Sequence, residues 1–173
     1  MQMLPEIGTI LYCTRIGPNS AYIYRYAVAM AERFGARIIV LHVVSALSPA
    51  QEALIDAYIG PESIHAVIDR EEDRARARIR KHLEVFCAKA GKGHDCSRLV
   101  DRIRIREGHA AEEILAEAAA SGADLIVMGA HASSTVLDAI MGSTAEKVIR
   151  RATIPVLVVQ VPEGQQELSV AGI

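Results

Sequence analysis

An α/β protein with an open, doubly wound parallel sheet of five strands and helices on both faces is predicted by three features of the sequence. Short apolar runs rich in β-branched residues recur along the chain, as in strands that are buried on both faces. Segments with apolar residues at helical spacing separate these runs, and glycines follow several of them. Strands that alternate with helices form right-handed β-α-β units, so the predicted sheet is parallel.

The first half of the chain predicts two strands and two long helices. The first strand is followed by a Gly-Pro-Asn-Ser turn, and the first helix ends at a glycine. A mixed stretch with two prolines predicts a loop with a short helix, and a charge-rich segment predicts a long solvated helix. The predicted segments are strand Thr9 to Thr14, helix Ala21 to Phe34, strand Arg37 to Val44, loop Ser45 to Pro61 and helix Ser63 to Ala90.

The second half predicts three strands and two helices. Its first strand alternates apolar and charged residues, as expected near a sheet margin, and its arginines are interpreted as solvated side chains. The predicted segments are strand Leu99 to Arg106, helix Ala110 to Ser121, strand Ala123 to Met128, helix Ser143 to Arg151 and strand Pro155 to Val161.

Length and composition favour one globular domain over residues 1–173, with a core over 9–161 and a flexible tail over 162–173. Hydrophobic residues make up 51% of the chain, and the net charge of −2 gives no field that would attract nucleic acid. We find no secretory signal and no apolar run long enough for a membrane span. Cys13, Cys87 and Cys96 form no C-x-x-C pair, which favours reduced packing thiols and a cytoplasmic protein.

The connection after the fourth strand is the first candidate for a ligand site. Open doubly wound sheets bind ligands beyond the carboxyl ends of their strands, and Gly129 to Gly142 is far longer than the usual connection. Ser143 and Glu146 have the spacing of a capping box, and the first amides of a helix can bind an anion. In the alternative interpretation Ser143 only caps its own helix.

Ala123 to Val159 (ADLIVMGAHASSTVLDAIMGSTAEKVIRRATIPVLVV) resembles the C-terminal signature of the universal stress protein family. In that signature G-x-x-G, nine residues and then G-S or G-T precede a helix and a P-V-L-V-V strand. The resemblance includes ILYCT, LHVV and GHAAEEILAEA, and it extends from Thr9 to Val161. It implies strand order 3-2-1-4-5 and a Rossmann-like fold of the adenine nucleotide alpha hydrolase type.

The resemblance also implies a nucleotide pocket. Family members that bind ATP place an aspartate after the first strand, the valine of L-H-V near adenine, and the glycine signature around ribose and phosphates. This chain departs from that pattern at Arg15, where the aspartate is expected, and at Ala132, where the second glycine of G-x-x-G is expected. The predicted nucleotide-binding residues are Thr14, Arg15, Val43, Gly129, His131, Ala132, Gly142, Ser143 and Thr144. ATP or AMP is the implied ligand, with Mg only alongside ATP.

The two departures bear on affinity in different ways. Loss of a carboxylate removes a charge-assisted contact of about 1.5–3 kcal/mol, whereas Arg15 offers a planar fork that suits phosphate. A methyl at Ala132 costs about 1–2 kcal/mol if its backbone is left-handed.

Two functional hypotheses therefore stand side by side. The first is a sensor or regulator that binds an adenine nucleotide or a similar anion in the pocket of the Gly129 to Thr144 loop. The second is a homodimeric stress-response scaffold that has lost ATP binding through Arg15 and Ala132. The resemblance implies that this homodimer pairs through the strand Pro155 to Val161.

Enzymatic, metal and core alternatives are weaker. A weak ATPase remains a third hypothesis, although no catalytic set is visible in the sequence. The residues His82, Cys87, His94 and Cys96 match no usual zinc spacing. His42, inside an apolar strand, is predicted to be a core histidine bonded to backbone.

Overall fold

The computed structural model describes residues 4–17, 19–59, 62–90, 96–130 and 141–162. The predicted tail beyond residue 162 lies outside these ranges. Strands and helices alternate through most of the described chain. The strands are β1 (Thr9–Thr14), β2 (Arg37–Val44), β3 (Val100–Glu107), β4 (Leu125–Gly129) and β5 (Val156–Val159). The helices are α1 (Ser20–Phe34), α2 (Pro49–Ile59), α3 (Glu62–Ala90), α4 (Cys96–Leu99), α5 (Ala110–Ser121) and α6 (Ser143–Arg151).

The five strands form one sheet in the order β3-β2-β1-β4-β5, and each neighbouring pair is parallel. This arrangement confirms the predicted fold class and strand order. From β1 the chain first builds the sheet toward β3 and later returns to build it toward β5. The strand order therefore reverses between β1 and β4, which is where open α/β sheets bind ligands.

Two apolar clusters cover the two faces of the sheet. Alternate side chains of a strand point to opposite faces, so Ile10 and Tyr12 belong to the cluster beneath α1 and α3. Leu11 belongs to the cluster beneath α5 and α6. Because both faces are covered, β1 is almost fully buried and β2 is buried over residues 38–41, as their continuous apolar sequences predict.

Helix ends follow the glycine signals closely. Gly35 ends α1 with φ 66° and Gly122 ends α5 with φ 61°, and glycine adopts these left-handed conformations without steric cost. The ends of strands are determined less by the local sequence than the ends of helices, because a strand continues only while a neighbouring strand pairs with it. β5 accordingly pairs with β4 only over Val156–Val159, which is shorter than the predicted strand.

The arginines of β3 are exposed, as predicted, and two of them also pair with a carboxylate that the sequence did not indicate. Arg106 Nη2 lies 2.8 Å from Glu117 Oε2, and Arg104 Nε lies 3.4 Å from Glu117 Oε1. Glu117 is only 2% exposed, whereas both arginines are about half exposed. Two positive charges of β3 are therefore stabilised both by water and by a buried carboxylate on α5.

The cysteines also differ from the expectation of three reduced packing thiols. Cys13 is a free thiol whose pKa is raised by burial. Cys87 is disulfide-bonded, so the prediction is wrong for this residue. Across the described residues, no helix combines the length and apolar character required to cross a membrane.

Candidate functional site

A cavity of about 340 Å³ lies at the point where the strand order reverses. The carboxyl ends of β1, β2 and β4 and the first turns of α1, α5 and α6 form its described walls. Seven of the nine predicted residues line it: Thr14, Arg15, Val43, Gly129, Gly142, Ser143 and Thr144. The other two, His131 and Ala132, lie outside the described residues. The structure thus brings distant segments of sequence together around one hollow beside Arg15.

The start of α6 forms one wall of this cavity. Gly142 is the N-cap residue in an extended conformation, and its amide donates to the Ala130 carbonyl at 2.8 Å. No side chain caps this helix, so the predicted capping box at Ser143 is wrong. Ser143 is already the first helical residue, one position beyond the place from which a side chain caps. The next amides are therefore not used by a side-chain cap, and the helix dipole favours an anion there.

The segment between β1 and α1 is held by side-chain hydrogen bonds. Thr14 Oγ1 accepts from the Ile16 amide at 3.1 Å and donates to Ser20 Oγ at 3.2 Å, and Ser20 Oγ accepts from the Gly17 amide at 2.9 Å. Ile16 has φ 55°, a left-handed conformation that is unusual for a β-branched residue. Such conformations cost about 1–3 kcal/mol and persist where the surroundings fix them. This segment is therefore a fixed wall rather than a loose turn.

Asn19 contributes a polar atom that the sequence reasoning did not identify as part of the site. Asn19 is one of the residues that line the cavity, and its Oδ1 is buried without a hydrogen-bond partner among the described residues. A buried acceptor without a partner costs about 1–3 kcal/mol, which a hydroxyl or amino donor of a ligand would recover. The Gly-Pro-Asn-Ser turn was the available signal, because it directly follows β1 at the edge where ligands bind.

His42 stabilises the end of β1 from the neighbouring strand. Its Nδ1 lies 2.8 Å from the Thr14 carbonyl oxygen, which confirms the prediction of a histidine bonded to backbone. The pKa of His42 is lowered, first by burial and also by the charges of Arg78 and Arg15. A neutral imidazole can donate from Nδ1 to the carbonyl, so the contact holds the last residue of β1 beside the cavity.

The charge of the cavity is positive. Arg15 is exposed and is the one charged residue among the described residues that line it. The start of α6 adds the positive end of a helix dipole to the wall of the same cavity. No group of three or more His, Cys, Asp and Glu side chains that could hold a metal ion occurs in the described part of the chain. The chemistry of these walls therefore suits an anion with hydrogen-bond donors.

The geometry can be compared with known proteins. The model of the universal stress protein family matches residues 6–160. The chain belongs to this family. Universal stress protein MJ0531 of Methanocaldococcus jannaschii is 30% identical over 139 residues, which cover 80% of this chain and 74% of the relative. A universal stress protein of Thermus aquaticus is 32% identical over 134 residues, which cover 78% of this chain and 85% of the relative.

Solved universal stress proteins share the fold. UspA from Lactobacillus plantarum superposes with a TM-score of 0.67 at 21% identity, covering 90% of this chain and 99% of that chain. A universal stress protein in complex with cAMP has a TM-score of 0.52 at 20% identity, covering 90% of this chain and 98% of that chain. At these identities the likeness extends to the fold.

Proposed function

We propose that this universal stress protein is a cytoplasmic sensor or regulator that binds an adenine nucleotide or a similar anionic small molecule at the reversal point of its sheet. The observation that carries the proposal is the start of α6, where amides without a side-chain cap border the same cavity as Arg15 and Val43. Anions bind at such helix starts because the amides donate hydrogen bonds and the dipole favours negative charge.

In this proposal, different groups of the cavity bind the phosphates, the ribose and the base of a nucleotide. The phosphates would lie between the α6 amides and Arg15, whose guanidinium forms planar, paired hydrogen bonds with phosphate oxygens. Asn19 Oδ1 would accept from a ribose hydroxyl or an adenine amino group, because it is buried without another donor among the described residues. Val43 would contact the base. In this arrangement Arg15 takes part in binding instead of preventing it, and Mg would enter only with ATP.

One structural relative supports a nucleotide as ligand. The solved universal stress protein in complex with cAMP covers nine-tenths of this chain. A cyclic monophosphate carries one negative charge, which a single arginine and one helix start would balance without a metal. We therefore include cAMP beside ATP and AMP among the ligands to be tested.

A homodimeric scaffold is the second candidate, and the edge of the sheet favours it. β5 is a terminal strand of the sheet, and Val156, Leu157 and Val158 remain only partly buried in the single chain. A bare apolar edge invites pairing with another chain. In this alternative the protein pairs through β5 across a two-fold axis and carries out its role without a nucleotide.

Two measurements test the first proposal. Mass spectrometry identifies compounds that are released when the purified protein is denatured, and calorimetric titration then measures the binding of ATP, AMP and cAMP. Ser143→Asp places a carboxylate at the helix start, where it favours the helix but repels an anion. We expect this variant to lose about tenfold or more in affinity for the ligand that binds. Ser48→Asp, an exposed position that precedes α2, makes the same substitution at a helix start away from the cavity and should leave affinity unchanged.

The outcomes separate the two candidates. If the purified protein releases no nucleotide and does not bind ATP, AMP or cAMP at millimolar concentration, the sensor hypothesis is contradicted. A dimer in light scattering would then favour the scaffold hypothesis. Recovery of ATP binding by Arg15→Asp with Ala132→Gly would attribute the loss to the two departures from the family pattern. A monomer at micromolar concentration contradicts the dimer.

A further inference from the structure

A second cavity lies on the other side of the segment that follows β1. It has a volume of about 490 Å³ and is enclosed by α1, α3 and the sheet face beneath them. Its size falls in the range of pockets that hold small organic molecules. It shares Thr14, Gly17 and Ser20 with the first cavity, and its other lining residues belong to it alone.

Aromatic and aliphatic side chains form the floor of this cavity. The Tyr24 ring lies 5.2 Å from the Tyr12 ring and 5.0 Å from the Phe86 ring, measured between ring centroids. Ile79 and Leu83 of α3 continue the apolar wall. Such a surface favours a ligand with an apolar body, because burial of apolar area stabilises the complex.

One polar group on this floor lacks a partner. Tyr24 is 2% exposed, and its buried hydroxyl has no hydrogen-bond partner among the described residues. By contrast, the Tyr12 hydroxyl donates to the Ser20 carbonyl at 2.8 Å. Buried hydroxyls almost always have a partner, so the Tyr24 hydroxyl is an independent sign that a ligand atom or an ordered water belongs in this cavity.

The rim of the cavity is cationic. Arg25 of α1 and Arg78 and Lys89 of α3 line it, and no carboxylate does so among the described residues. Arg25 is held against the Tyr22 ring, with its guanidinium carbon 4.4 Å from the ring centroid. His82 also lines the cavity, and burial together with neighbouring cations lowers its pKa. The rim therefore carries permanent positive charges that an anionic group could pair with.

We infer that this cavity is a second binding site, for an amphipathic carboxylate whose apolar body lies between α1 and α3 and whose head group pairs with one of the cations that α3 contributes to the rim, Arg78 or Lys89. The floor accounts for the apolar body, and the rim accounts for the negative charge. The proposal is independent of nucleotide binding at the first cavity.

Calorimetric titration with decanoate tests this site, and 1-decanol serves as an uncharged ligand of the same chain length. We expect decanoate to bind with one-to-one stoichiometry and about tenfold or more tighter than 1-decanol, since the head group would lose a charge-assisted contact. Absence of decanoate binding, or equal binding of the alcohol, overturns the proposal. Binding should persist with ATP at saturation, and one-for-one competition with ATP would place decanoate in the first cavity and overturn it too.

Two double variants with the same net charge locate the contact. Arg78→Gln with Lys89→Gln removes cations from the rim, whereas Arg80→Gln with Lys81→Gln removes cations of α3 that do not line the cavity. The first double variant should lower the affinity for decanoate about tenfold, and the second should leave this affinity unchanged. Equal losses in both would indicate general attraction by a basic helix and would overturn the site. Ala21→Phe, which fills the cavity from α1, should abolish decanoate binding while circular dichroism remains that of the wild type.

Discussion

Substitution of Glu117 by glutamine is the sharpest test of how α5 is attached to β3. Glu117 is 2% exposed and accepts from Arg106 Nε at 3.0 Å and Nη2 at 2.8 Å, with Arg104 Nε at 3.4 Å from its second oxygen. Breaking a fully buried pair costs about 3–5 kcal/mol. The loss here is smaller, because both arginines are about half exposed and can return to water. We therefore expect Glu117→Gln to lower the free energy of unfolding by about 2 kcal/mol.

Urea denaturation followed by circular dichroism at neutral pH measures this loss, and a decrease of about 4–8 °C in the melting temperature should accompany it. Glu71→Gln is the matched control, because Glu71 pairs with Arg74 at 2.6 Å on an exposed helix face. Exposed pairs contribute at most about 1 kcal/mol. A loss for Glu117→Gln no greater than the control, or a double-mutant cycle with Arg106→Gln that shows no coupling, would refute this account of the buried carboxylate.

Three further predictions concern stability. Asp124→Ala should cost about 2 kcal/mol in urea denaturation, because the carboxylate accepts from the Gly8 and Thr9 amides at 2.9 Å each; an unchanged midpoint would show that these contacts contribute nothing. Tyr24→Phe should be neutral or stabilise by up to about 1 kcal/mol, because it removes a hydroxyl that is buried without a partner among the described residues; a clear destabilisation would mean that the hydroxyl is already satisfied. Because burial lowers the pKa of His42, the unfolded chain binds its proton more readily below about pH 6.5, so stability should fall from pH 7.5 to pH 5.5. Urea midpoints in wild type and His42→Asn check this, and an equal fall in both would exclude His42 as a source.

The parts of the fold predicted correctly were those with local signals. β1, β2, α5 and α6 begin and end where the sequence predicts, because continuous apolar runs mark the two strands, helical spacing marks the two helices, and Gly122 follows α5. The end of β5 depends on how far β4 extends beside it, which no local pattern encodes. The partners of the β3 arginines were missed for the same reason, although Glu117 shares a helix face with Ile114 and Ala118 and could have signalled a buried charge.

The first cavity was predictable because its position follows from strand order alone. Once β1 lies between β2 and β4, Thr14, Val43 and Gly129 meet at one edge whatever their neighbours are. The conformation of its walls was not predictable from the sequence. The N-cap at Gly142 in place of Ser143 depends on a single backbone turn. The second cavity depends on how α1 packs against α3, and no sequence motif in either helix predicts it.

Thr14, Gly17 and Ser20 line both cavities, so the short hydrogen-bonded segment after β1 is a partition with a chamber on each side. Ligands in the two chambers would therefore contact the same segment. If occupation of one shifts or stiffens the partition, affinity in the other changes, and the factor is identical in the reverse direction. The left-handed backbone conformation of Ile16 and three hydrogen bonds fix this partition. With such coupling, the protein would respond to the two small molecules together.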